Sequence, residues 1–137
     1  MTDERVARCR CGQLTATCVG DPVRVSACHC RACQRRTGGP FSAQARFPAE
    51  NVSIAGDFRI CERTADSGRK AWYRWCGDCG GTVAYTNEGM DDLIAIPIGA
   101  FADDAGDTEL PSLTASVFES YKQDWVSIEG CGITHEP

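Results

Sequence analysis

No stretch of this chain approaches the roughly 20 consecutive apolar residues that span a bilayer. The opening Met1-Thr2-Asp3-Glu4-Arg5 is polar, with no apolar stretch behind it to act as a secretory signal. Neither membrane residence nor export is expected, and the chain reads as cytoplasmic. Basic residues are almost missing from the last third: residues 87–137 hold eleven acids against Lys122 alone, whereas residues 1–46 carry eight arginines against three acids. The net charge of −5 and pI near 5.0 argue against nucleic acid as the main partner, because phosphate binding needs a basic surface. Linkers, low-complexity tracts and internal repeats are also missing. With 137 residues, 42% hydrophobic and 24% charged, the chain has the profile of a single domain, 1–137, that buries its own core.

Cysteine is what the sequence has in excess. Ten cysteines stand at positions 9, 11, 18, 28, 30, 33, 61, 76, 79 and 131. A disulfide framework belongs to small exported chains without a core, and cysteines one or two apart do not bridge each other without strain. Neither ferredoxin spacing is present, which disfavours an iron–sulfur cluster. Zinc suits the pattern better. Structural zinc takes four tetrahedral ligands, usually as two pairs from separate segments. Cys9-Arg10-Cys11-Gly12 and Cys76-Gly77-Asp78-Cys79-Gly80 are two such pairs, each followed by a glycine that lets amide groups turn toward sulfur.

The middle group is different. Cys28-His29-Cys30-Arg31-Ala32-Cys33 puts three thiolates within six residues and has no obvious partner pair. Three protein ligands with an open position would make a catalytic zinc; a fourth from Cys18, Cys61, Cys131 or His29 would close the site. Spacing leaves both arrangements open. His29, between two ligands, reads as a surface or outer-shell residue, and the isolated Cys18, Cys61 and Cys131 as buried apolar cysteines. Arg8, Arg10, Arg31, Arg35 and Arg36 lie near the cysteines, where they could offset metal–thiolate charge or meet an anionic ligand.

The remainder alternates apolar and polar residues in short runs between Gly, Pro and Asp turns. Strands are expected at 13–19, 22–27, 41–47, 52–55, 58–63, 71–75, 82–85, 93–98 and 113–118, with a last one at 125–128. Two short helices are expected, at 31–37 and 119–124. Strands at this spacing indicate an all-β architecture. Trp72, Tyr73, Trp75 and Tyr85 flank the last cysteine pair and read as core packing around it.

Cys-x-Cys-Gly, then Cys-His-Cys-x-x-Cys, then aromatic-Cys-x-x-Cys-Gly, in that order, resembles the signature of the glutathione-dependent formaldehyde-activating enzyme and centromere protein V family. The similarity runs on through Ile96-Pro97-Ile98-Gly99 to the 113–118 strand and Trp125. Trp75 and Gly81 depart from the family's more frequent Phe and Ser without removing a ligand. The resemblance implies a zinc-binding β-tent-like fold of short antiparallel strands. It also implies two zinc ions: a structural one on Cys9, Cys11, Cys76 and Cys79, and a catalytic one on Cys28, Cys30 and Cys33. The implied activity is that of a carbon–sulfur lyase acting on a glutathione-like thiol and an aldehyde such as formaldehyde, with S-hydroxymethylglutathione as the adduct.

Metal binding deprotonates a thiol, and the thiolate adds to a carbonyl carbon held beside it. Arg31, Arg35 or Arg36 would then pair with glutathione carboxylates. Two other classes compete: a non-catalytic zinc-binding module for a macromolecular partner, and a metal-free sulfur-redox enzyme using the triplet directly.

Overall fold

Short strands with period-two burial build the molecule, whose computed structural model describes residues 3–65, 67–103, 106 and 109–137. In chain order the elements are β1 (Glu4–Arg8), β2 (Thr15–Val19), β3 (Arg24–Cys28), α1 (Arg31–Thr37), β4 (Ser42–Pro48), β5 (Val52–Ala55) and β6 (Arg59–Thr64). They continue with β7 (Lys70–Trp75), β8 (Thr82–Asn87), β9 (Leu93–Pro97), β10 (Ala115–Val117) and β11 (Thr134–His135). Strands β1, β2 and β5 form a small antiparallel sheet with β2 in the middle. The rest form one larger sheet in the order β11-β10-β3-β4-β9-β8-β7-β6.

The core lies between the two sheets. The small sheet contributes Ala7, Ala16 and Cys18, with Leu14 from the turn before β2. The large sheet meets these with Ala45, Phe47, Val83 and Ile96, and a 3-10 turn at Ile98–Phe101 adds Phe101, whose ring sits edge-on to Phe47 at 6.1 Å. Burial alternates along β2, where Ala16 and Cys18 are buried and their neighbours half-buried, as a strand with one face on a core requires. No helix among the described residues is long and apolar enough to cross a membrane.

All nine expected strands before residue 120 form, with ends displaced by a residue or two. The pairing is antiparallel except at β10, which lies parallel to both β3 and β11. Parallel neighbours need a long connection, which residues 118–133 supply between β10 and β11, whereas β3 and β10 meet from distant parts of the chain. The expected strand at 125–128 is absent. The Val126 amide donates to the Gln123 carbonyl at 3.0 Å and its carbonyl accepts from Lys122 Nζ at 2.7 Å, so local bonds occupy the groups a ladder would use. The expected 119–124 helix shrinks to a single 3-10 turn, Glu119–Tyr121, entered through Phe118 at φ +56°.

Candidate metal centres

Two hairpin turns carry the four outer cysteines. Between β1 and β2 the Cys9 amide donates to the Leu14 carbonyl at 3.0 Å and the Gly12 amide to the Cys9 carbonyl at 3.0 Å. The β7–β8 turn repeats the device, with Cys76 donating to Gly81 at 2.9 Å and Gly80 to Cys76 at 2.8 Å. Gly12 and Gly80, each directly after the second cysteine of its pair, have φ of +85° and +82°, a conformation that a Cβ disfavours. The turns press together closely: a Cβ on Gly81 would stand 3.2 Å from that of Cys9.

The result is a cluster in which the sulfurs of Cys9, Cys11, Cys76 and Cys79 all lie within 4.8 Å of one another. Cys11 Sγ is 3.6 Å from Cys9 Sγ and 3.7 Å from Cys76 Sγ. Zinc–sulfur bonds near 2.3 Å in a tetrahedron would put sulfurs about 3.8 Å apart, so the cage has the right size. Its donors fit as well. The Leu14 amide points at Cys9 Sγ (3.3 Å), the Asp78 amide at Cys76 Sγ (3.4 Å) and Gln13 Nε2 at Cys76 Sγ (3.0 Å). Such donors favour thiolate over thiol. The Gly81 and then the Cys11 amide hold Cys79 down to about 6, and Gln13 leads the forces that keep Cys76 below the usual thiol range. Against the Gln13 amide, which lowers it, desolvation and the neighbouring sulfurs of Cys76, Cys9 and Cys79 push the Cys11 thiol the other way, up to about 12. Four converging sulfurs, with Cys76 and Cys79 biased toward the thiolate form, could hold a soft-tolerant divalent metal such as zinc.

The inner triplet is assembled from one short stretch. Cys28 ends β3, Cys30 is the N-cap of α1, and Cys33 is the third residue of that helix. Cys30 Sγ accepts the Cys33 amide at 3.4 Å, so a potential metal ligand also caps the helix. The three sulfurs lie within 4.8 Å of one another, and no further cysteine, histidine or carboxylate among the described residues joins them. The Cys28 and Cys33 thiols share a hydrogen bond that pushes Cys33 below its ordinary range and, together with burial, pushes Cys28 above its own. Three sulfurs without a fourth ligand among the described residues could hold a metal that keeps an exchangeable position.

A family model described as glutathione-dependent formaldehyde-activating enzyme matches residues 4–121, a span that takes in both clusters. The chain belongs to that family. Among solved structures, the crystal structure of a Rhodobacter sphaeroides protein resembles this family member with a TM-score of 0.56 at 13% identity, over 77% of this chain and 97% of that one. At that identity the likeness concerns the fold alone. A search of curated proteins finds no match. The family match ends before Trp125, which is 76% exposed.

None of the four residues considered as a further triplet ligand in this formaldehyde-activating family member reaches it. Cys18 is in the core, as expected. Cys61 and Cys131 are not buried: Cys61 is exposed on the edge strand β6 and Cys131 is exposed near the C-terminus. His29 is not a surface residue either. Its amide continues the β3–β10 pairing through the Val117 carbonyl (3.1 Å), which carries the ring inward to Ser116 Oγ (2.9 Å from Nε2) and against Phe41 at 5.5 Å. Burial pushes its pKa down and favours the neutral ring.

The aromatic residues also part company. Tyr73 and Tyr85 are not packed around the outer cysteines but form a separate small core with Ala71 and Ala95, under the guanidinium of Arg36. Sequence reasoning missed Gln13, which touches the outer cluster. It also missed Gln34, whose amide ties the His29 carbonyl (2.8 Å) to that of Tyr121 (3.3 Å). Gln13 follows Gly12 directly, and that adjacency was the one available signal.

Proposed function

We propose that the protein is a zinc-dependent carbon–sulfur lyase that joins a glutathione-class thiol to formaldehyde, or reverses that addition. The observation that carries this reading is the triplet: three sulfurs brought together with no fourth ligand among the described residues, in a chain of the formaldehyde-activating family. Zinc bound there would supply a Lewis acid that favours the thiolate form of the substrate. In the addition a sulfur–carbon bond forms, the carbonyl π bond breaks, and the proton lost from the thiol ends on the former carbonyl oxygen.

The chain's own part is to hold the reactants. Cys28 is fixed by the β3 ladder, Cys30 and Cys33 by the first turn of α1, and the intervening His29 carbonyl by Gln34. That rigidity favours a productive sulfur-to-carbonyl approach, where much of the rate gain of such reactions lies. The outer cluster has a different task, fastening the β1–β2 hairpin to the β7–β8 hairpin through a second, structural zinc. Ten free thiols support a reducing, cytoplasmic setting.

The test is exchange NMR with labelled formaldehyde and glutathione, which reads formation and breakdown of S-hydroxymethylglutathione against the spontaneous rate. Acceleration in both directions by zinc-loaded protein is expected. A rate equal to the spontaneous one would leave a zinc-binding module without this catalysis.

A further inference from the structure

Arg36 follows Cys33 by one turn of α1, so the two side chains share a helix face. Its guanidinium carbon lies 4.9 Å from the Tyr73 ring centre and 5.3 Å from that of Tyr85. These tyrosines are directly opposed on β7 and β8, with ring centres 4.9 Å apart, and both are buried. The cation is therefore held against a fixed aromatic wall. The guanidinium thus lies over that wall from the same helix that carries Cys33.

What Arg36 lacks among the described residues is an anion. The ion pairs among the described residues are Arg24–Glu136, Lys70–Glu62 and His135–Glu119. Arg36 Nε is buried with no acceptor, one of only two such side-chain atoms among the described residues. The other arginines near the triplet differ: Arg31 is exposed over the Tyr121 ring at 4.7 Å, and Arg35 is exposed. Buried donors are nearly always paired, so one left open beside a candidate reaction site points to an acceptor that arrives with a ligand. A guanidinium presents its donors in a fork that matches a carboxylate.

We propose that Arg36 receives a carboxylate of the thiol whose sulfur sits at Cys28, Cys30 and Cys33, and so makes the site selective for anionic over neutral thiols. This rests on the thiol–aldehyde reading above and narrows its substrate class. The adjacent Arg35 has no such part.

The experiment compares kcat/KM for glutathione and for its diethyl ester, each with formaldehyde, in the wild type and in R36M, R36K and R35M. The wild type is expected to prefer the free acid by about tenfold or more, and R36M to bring the two within about twofold through KM. R36K, with a point charge and no fork, should fall between, which separates charge reading from a packing defect. R35M should keep the wild-type preference. An undiminished preference in both R36M and R36K, or none in the wild type, overturns the assignment while leaving the thiol–aldehyde reading standing. Should the wild type accelerate neither substrate, that reading falls and calorimetric binding of glutathione judges Arg36 by itself. Weaker binding by R36M would then support it; equal binding, or none to the wild type, would remove it.

Discussion

Gln13 Nε2 lies 3.0 Å from Cys76 Sγ, linking residues 63 apart in sequence. The same amide holds the 57 loop, where Gln13 Oε1 accepts the Asp57 amide at 3.0 Å and Nε2 donates to the Asp57 carbonyl at 2.6 Å. One side chain thus joins the β1–β2 turn, the approach to β6 and the last cysteine turn. Toward a metal it would act on the ligand's charge and orientation rather than as a ligand.

The Q13A variant should therefore bind zinc about tenfold more weakly, in line with the loss of other outer-shell partners. Q13E should be worse than Q13A, since it exchanges a donor aimed at sulfur for a like charge. Competition with a chromogenic chelator measures both. Equal affinity in wild type and Q13A would mean that the contact is incidental.

The metal content itself is the second prediction. Metal-replete, reducing preparation should give close to two zinc ions per chain, from a set of four sulfurs and a set of three. Mild chelation should remove one before the other, because a site with three protein ligands is easier to strip than one with four. A content that never exceeds one would sink the two-site reading.

Spacing made both clusters legible because the ligands within each group are neighbours in the chain, and the glycines after Cys11 and Cys79 report their own left-handed backbone. Alternation likewise exposed the strands that bury one face, such as β2. Glu4–Arg8 was not legible, because its sequence is mostly polar and becomes a strand only through its ladder to β2. The burial of His29 was hidden for a related reason. Its burial follows from the parallel docking of β10, whose register is set 80 and more residues downstream. Gln13 and Arg36 gain their meaning from turns and rings that only tertiary structure brings to them.

Acid should loosen the C-terminal edge. His135 Nδ1 stands 2.8 Å from Glu119 Oε2, and the His135 ring first, with the Ser116 hydroxyl next, holds the Glu119 carboxyl below its ordinary 4.5. A depressed carboxyl stabilises the folded form above its unfolded pKa, and that contribution is lost as pH falls through the folded value. Amide NMR shifts of Glu119 and Glu136, which close the β10–β11 edge, should therefore move on acidification below the carboxylate range while the β7–β8 core stays unchanged. H135A should move that transition to higher pH. An identical acid transition in H135A would show that the pair does not control the edge.

The division of labour between the clusters gives the last prediction. Cys79 belongs to a cage that cross-links the β1–β2 and β7–β8 turns, so its zinc would contribute directly to folding, and C79A should lower Tm by about 10 °C or more. Cys30 belongs to a group drawn from six consecutive residues, whose loss releases no long-range link. C30A also removes the cap acceptor of α1, which by itself should cost a few degrees, ~5 °C. The C30A protein should thus remain folded and keep one zinc, yet lose the thiol–aldehyde activity. Thermal unfolding, zinc content and turnover on the two variants, measured side by side, decide the matter. If C30A unfolds as readily as C79A, the triplet is part of the scaffold and its assignment to catalysis is wrong; if C30A keeps full activity, the reaction takes place elsewhere.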